Sequence, residues 1–358
     1  MNIKFGVHHG TNCSGFGHNP SDILKSALMA EKLGYHSVWI MDHLYDSAGR
    51  PQALVVEPWT MLAAIAAKTR KVTLGTCVTD PHRRHPAVVA QTVSTLDHIS
   101  NGRAILGIGA GEAMNLNQYG IIWDKPVSRL KEALQLYKMF WSSSFDNPIS
   151  FDGKFWKVEK ACLQISSIQK PHPPIYLAAN AERTLKICGE MAQGWIPSGC
   201  DPDLYKEYLE IMKKAAEEVG RSFDQIEKTY EIWVAIHEDY DKAREAIEMP
   251  AKLLTLNKRI LEKYGIKLPE GLSLHKLWME FTSANTKVIN LFKEYVDRIP
   301  TEAAERVNAF GTPDDVIESL ERFIEVGVRH FVIEFFGPEY WESIRLFSKK
   351  VIPYFKRK

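Results

Sequence analysis

Strand-like apolar runs alternate with helix-patterned stretches along almost the entire chain, and this rhythm restricts the possible folds more than any single motif. Residues 3–8, 36–41, 71–77, 103–109, 173–178, 194–197, 228–236 and 330–335 read as eight strands, and nearly all precede a helical pattern. Parallel strands need crossover connections, usually helical, so repeated strand–helix units predict a parallel sheet clothed in helices. Eight units predict one α/β domain over residues 1–358, a (β/α)8 TIM barrel with insertions. The rival is a doubly wound sheet, which would hold fewer units and carry a phosphate fingerprint in its first loop.

Local punctuation agrees with the rhythm. Ser21 is the expected cap of a helix over 21–33, and Gly34 ends it. Pro58 falls in the first turn of helix 57–68, while Thr312 and Pro313 open helix 312–326 as cap and first residue. The last helix is expected over 339–351. The basic residues Lys349, Lys350, Lys356, Arg357 and Lys358 read as a solvated helix end, where cations suit the dipole. Two stretches break the pattern. One is a hairpin with Asp152-Gly153 as its turn, and the other is a mostly helical insertion at about 240–300.

Charge excludes some partners. With 45 Lys+Arg against 44 Asp+Glu, the net charge of +1 gives no electrostatic basis for binding nucleic acid or an anionic membrane. No apolar run reaches membrane-spanning length, and the chain enters a strand at once, so a cytoplasmic protein is expected. Cys13, Cys77, Cys162, Cys188 and Cys200 are scattered, show no zinc spacing, and read as reduced, mostly packed thiols. No serine elbow, P-loop or His-Glu-x-x-His occurs, which lowers hydrolase and phosphotransferase readings.

Ligands of a barrel sit at the carboxyl ends of its strands. His8-His9, Asp42-His43, Cys77 to Asp80 and Gly109 to Asn115 fall there, with Asn180, Ser198 and Glu334 after later strands. In Gly109-Ala-Gly-Glu-Ala-Met-Asn115, glycines let the backbone approach a ligand and Glu112 can exchange a proton. The spacing is not a dinucleotide fingerprint. A histidine and a glutamate can thus converge on one mouth for acid–base work.

Each residue also has a plainer reading. His43 is either catalytic or a structural histidine bonded to a loop carbonyl. Asp42 either caps the following turn or touches a ligand. No carboxylate at helical spacing accompanies His8 and His9, so no metal is expected. His82, Arg83, Arg84 and His85 form a cationic loop, either a solvated run or an attractor for an anionic cofactor tail. Cys77 reads as a small buried thiol in preference to a nucleophile.

At these residues the chain resembles the bacterial luciferase-like superfamily, in its branch dependent on the deazaflavin coenzyme F420. That branch includes F420-dependent glucose-6-phosphate and secondary alcohol dehydrogenases and methylenetetrahydromethanopterin reductases. The carriers are residues 30–43, 74–81, 85–91 and 109–115, with Phe310-Gly-Thr-Pro-Asp-Asp315 in support. The Gly-Glu-Ala-Met-Asn run is similar to the dehydrogenases and unlike the Gly-Pro-Gly-Asp version of the reductases.

The resemblance implies hydride transfer between F420 and a small organic substrate, of the alcohol/carbonyl or methylene-tetrahydropterin type. It implies His43 as the catalytic histidine and Glu112 as the group managing the ring N1 proton. Asp42, Cys77, Val78, Asp80, Gly111, Asn115, Asn180 and Ala181 are implied as cofactor-binding, and Cys77–Val78 as a non-prolyl cis peptide. It further implies a homodimer. Departures lie on the substrate side. Ser47 replaces a tryptophan of the dehydrogenases, Asn12 stands near their first-loop acid, and residues 198–201 include no lysine for a sugar phosphate. The alternatives are an FMN-dependent luciferase-like monooxygenase and a non-catalytic F420- or flavin-binding protein.

Overall fold

A computed structural model describes residues 3–10, 19–46, 54–268, 270, 295–337 and 339–357. Eight parallel strands close into a barrel: β1 (Lys4–His9), β2 (Ser37–Ile40), β3 (Thr73–Thr76), β4 (Ala104–Ile108), β7 (Ile175–Leu177), β8 (Gly194–Trp195), β9 (Glu227–Ile236) and β11 (His330–Phe335). Neighbours pair in that order. The ring shuts where β11 meets β1 and where β8 meets β9 through Gly194 with Glu227 and Trp195 with Lys228. The remaining strands are a hairpin, β5 (Ile149–Asp152) and β6 (Lys157–Ala161), and a short β10 (Ala309–Gly311) parallel to the end of β9.

The helices lie where the periodicity puts them. They are α1 (Pro20–Leu33), α2 (Pro58–Lys68), α3 (Pro86–Ser100), α4 (Pro126–Ser142), α5 (Glu182–Met191) and α6 (Pro202–Glu218). Then come α7 (Tyr240–Leu254), α8 (Lys258–Glu262), α9 (Thr301–Glu305), α10 (Pro313–Glu325) and α11 (Tyr340–Arg357). The described part of the stretch expected as an insertion is thus helical. Asn12, Cys13 and Ser47 lie outside the described residues. Among the described residues no helix is long and apolar enough to cross a membrane.

Three local expectations are corrected. Asn19, not Ser21, caps α1: its side chain accepts from the Ser21 amide, and Pro20 takes the first helical position. The hairpin tip is a four-residue loop, because Asp152 already pairs with Lys157 and the Gly153 amide bonds to the Trp156 carbonyl. Glu132 of α4 holds that loop by accepting the amides of Lys154, Phe155 and Trp156. The last helix continues past 351 to Arg357, through Pro353.

Alternate strand residues face the barrel axis. Phe5 and Val7 point out to the helices, while Lys4, Gly6 and His8 point in. Trp39 fills the middle of the barrel with Ile105, Tyr176, Ile196 and Val332 around it. Glycines on the flanking strands make room: a Cβ on Gly6 or Gly75 would fall 2.9 and 2.5 Å from Trp39 atoms. Below Trp39, toward the amino ends, a polar layer seals the floor. Ser37 Oγ accepts from Trp39 Nε1 and meets His330 Nε2, and Glu227 takes Lys4, with His330 close by and Tyr176 donating its hydroxyl.

Gly107 sets how closely β3 and β4 approach, since its Cβ would stand 1.8 Å from the Thr76 carbonyl oxygen. No rotamer relieves a clash with backbone. Gly107→Ala is expected to cost about 3 kcal/mol or more, at the upper end of overpacking, read as a lower urea midpoint at unchanged slope.

Candidate active site

The carboxyl ends of the strands carry the residues expected there, and the structure brings several of them together. β2 ends in Asp42-His43 and β4 leads through Gly109–Gly111 to Glu112. His43 Nε2 lies 3.4 Å from Glu112 Oε2, although 69 positions separate the two. Gly111 adopts φ 79°, and a Cβ there would press within 3.0 Å of Asp80 Cβ, so the turn that presents Glu112 calls for glycine. Glu112 then stands at the head of a short 3₁₀ turn over Ala113–Asn115, its backbone carbonyl accepting the Asn115 amide. Asn115 Nδ2 donates to Glu112 Oε2 at 2.9 Å, and its Oδ1 accepts from the Leu44 amide beyond His43. One buried amide therefore ties the two catalytic candidates together.

Electrostatics separate the pair. Burial pushes the Glu112 carboxyl up to about 7, helped by Glu231 and Asp80, against the Asn115 hydrogen bond and the Arg83 cation. Burial pulls His43 down to about 3, with Arg83 pulling further and Asp42 and Asp46 opposing. At neutral pH the imidazole is neutral and the carboxyl is poised between its two forms. Two titratable groups pushed in opposite directions in one cleft are an acid–base arrangement.

Beneath them lies a buried ion lattice. Asp42 is 2% exposed. It accepts Thr79 Oγ1 at 2.6 Å, Arg83 Nη1 at 2.9 Å and Arg84 Nη1 at 2.5 Å. Asp80, equally buried, accepts Arg83 Nε at 2.6 Å and the His82 and Arg83 amides. Arg84 also reaches Glu57 at 2.8 Å, and His85 caps α3 by accepting the Ala87 amide. The cationic loop is thus neither a solvated run nor an unspent anion attractor: its two guanidiniums neutralise carboxylates, and the Asp42 side chain does not cap the following turn.

Cys77 and Val78 are joined by a cis peptide, and Val78 stands beside Gly109, 3.1 Å from where a Cβ would be. The Cys77 side chain points into the barrel with Trp39 and Ile105. Asn180 and Ala181 are exposed at the amino end of α5, whose cap residue is an alanine with no side-chain acceptor. Ser198 is half-buried after β8. The segment after it has cations that its own sequence lacks: Lys263 Nζ reaches Asp201 and Asp203 at 2.6 and 2.8 Å, and Arg306 reaches the same two carboxylates. These cations are already neutralised.

Glu231 escaped the sequence reading. It sits mid-strand in β9, where Tyr230 and Ile232 face the helices, so it points inward; a lone carboxylate in an apolar run was the available signal. His8 Nδ1 lies 3.5 Å from Glu231 Oε1 and 3.8 Å from Glu334 Oε2. Burial disfavours the His8 imidazolium, but Glu231 and Glu334 outweigh it and raise its pKa. His9 faces outward toward Tyr340, and burial with the neighbouring His8 charge lowers it to about 3.

Known proteins share this architecture. The family profile described as luciferase-like monooxygenase matches residues 3–330. An F420-dependent glucose-6-phosphate dehydrogenase of Microbacterium testaceum is 29% identical over 369 residues, covering 100% of this chain and 99% of that protein. A 5,10-methylenetetrahydromethanopterin reductase of Archaeoglobus fulgidus is 28% identical, covering 92% and 94%. The solved structure of an F420-dependent secondary alcohol dehydrogenase with an F420–acetone adduct superposes with a TM-score of 0.82. It is 25% identical, with 98% of each chain covered.

Proposed function

The chain belongs to the luciferase-like monooxygenase family, and from that premise we propose that it is an F420-dependent oxidoreductase exchanging a hydride with a small alcohol or carbonyl compound. The His43–Glu112 pair carries this reading: a neutral imidazole 3.4 Å from a carboxyl poised near neutrality. Oxidising an alcohol requires a proton acceptor at its hydroxyl, and a second proton must be given or taken at the coenzyme. His43 Nε2 serves the first need and Glu112 Oε2 the second. Hydride delivery to a methylene-tetrahydropterin carbon asks less of such a pair.

The residues fit the coenzyme. His43 Nδ1 is buried without a hydrogen-bond partner, and Gly111 keeps the wall beside Asp80 free of a side chain. Gly111, Cys77 and Val78 would form the wall against the ring, with Asp80 and Asn115 fixing the loop that carries Glu112. Asp42 holds the arginines under His43. Asn180 and Ala181 would meet the coenzyme's anionic tail at the uncapped α5 amides. Bound there, F420 supplies the two-electron hydride carrier.

Relatives acting on glucose 6-phosphate do not fix the substrate, because the cations near Asp201 are spent on Asp201 and Asp203. The free cysteines Cys77, Cys162, Cys188 and Cys200 suit a reducing cytoplasm, and the resemblance supports a homodimer, which solution mass measures directly.

Titration with F420 and with FMN, followed by tryptophan fluorescence, tests the reading. F420 is expected to bind, and His43→Ala to lower alcohol turnover by about 10²–10⁴-fold with F420 affinity little changed. Binding of FMN without F420 would support the monooxygenase alternative, and unchanged turnover in His43→Ala would leave a binding protein.

A further inference from the structure

Three side chains able to ligate a metal, from three different strands, meet just inside the barrel's mouth. His8 ends the inward row of β1, Cys77 follows β3, and Glu231 comes from β9. One ligand atom of each lies within 4.8 Å of the other two. Nothing in their sequence spacing announces this, since 154 positions separate Cys77 from Glu231 and the barrel's closure alone unites them. His8 is 3% exposed, and its Nδ1 faces Glu231 Oε1 at 3.5 Å and Glu334 Oε2 at 3.8 Å, longer than a good hydrogen bond. A buried imidazole, a thiol and a carboxylate gathered at this separation make a ligand set that one ion can bridge.

We propose that His8, Cys77 and Glu231 bind one divalent transition-metal ion of the zinc type, with the Glu334 carboxylate beside His8 as outer support. One imidazole, one sulfur and one carboxylate form a mixed set suited to zinc or cobalt and unsuited to magnesium or calcium, which take oxygen. Three protein ligands leave a fourth position, and the half-buried Glu231 marks the side open to the mouth. Binding forms metal–sulfur, metal–nitrogen and metal–oxygen bonds, and any proton on a ligand atom leaves to solvent, so affinity rises with pH. The proposal stands apart from hydride transfer, because metal uptake is measured without turnover.

The full chain, stripped with a chelator, is titrated with Co²⁺ and Zn²⁺. The expected result is one ion per chain, a near-ultraviolet sulfur-to-cobalt band, and tighter binding at higher pH. Cys77→Ser should abolish the band, and both it and Glu231→Gln should weaken binding by at least about tenfold. If Cys77→Ser fails to fold by circular dichroism, Glu231→Gln carries the test from a partly exposed position. Absence of stoichiometric uptake, or uptake indifferent to the folded variants, overturns the proposal. F420 titration of the stripped chain in parallel shows separately whether the coenzyme reading holds.

Discussion

Glu112→Gln is expected to lower turnover by about 10²–10⁴-fold, the usual worth of a positioned acid–base group, while making the protein more stable above neutral pH. Both effects come from burial, which raises the carboxyl from 4.5 to about 7. Between those values the native state binds a proton that the unfolded chain has released, so stability falls as pH rises through this window. The stabilisation is fully present below 4.5 and lost once pH passes about 7. A shift of this size corresponds to at most about 3 kcal/mol; with 29% of the side chain exposed to solvent, about 1–2 kcal/mol is the discounted expectation. Glutamine keeps an acceptor for Asn115 Nδ2 and carries no charge. Urea unfolding at pH 5 and pH 8 checks this: the variant should gain only at the higher pH. In the direction where Glu112 gives a proton, wild-type rate should fall above about pH 7, and in the reverse direction rise. A variant no more stable at pH 8, with an unaltered pH profile, would remove Glu112 from the proton path.

The barrel was legible because eight short apolar runs can be buried on both faces only when helices cover the outside. Strand ends were legible too, which is why His43 and Glu112 could be paired before any distance was known. What stayed hidden depends on closure. Glu231 looks like any strand residue until β8 meets β9 and β11 meets β1, which turns it toward His8. Arg83 and Arg84 look like a surface run until Asp42 and Asp80 are seen buried beneath them. The cap of α1 is a different miss. Asn19-Pro20-Ser21 holds two possible caps, and Pro20 at the first helical position already decides for Asn19. The lysine partner of Asp201 was invisible because Lys263 arrives from the helical stretch 62 positions later.

Arg83→Met should be the most destabilising single change near the site. Arg83 is 7% exposed and bridges two buried carboxylates, to Asp42 at 2.9 Å and to Asp80 at 2.6 Å. Methionine keeps much of the volume and deletes the charge. Arg84 still neutralises Asp42, whereas Asp80 keeps only the amides of residues 82 and 83. Removing one partner of a buried pair leaves an uncompensated charge, so the expected loss is about 3–5 kcal/mol in urea unfolding. The same cation pulls down both His43 and Glu112, so its removal moves both upward and carries the kinetic pH profile with them. Adding Asp80→Asn should restore part of the stability, because the stranded charge goes with it, and the double-mutant cycle gives the coupling. The pH profile should return only part of the way in the double variant, since losing the Asp80 charge lowers Glu112 while the larger effect of the missing cation still leaves it raised. If Arg83→Met unfolds at the wild-type midpoint and keeps the wild-type pH profile, the lattice is ornamental. If stability falls and the profile stays, it is only a foundation. Movement of both makes Arg83 the group that joins the barrel's stability to the proton chemistry at its mouth.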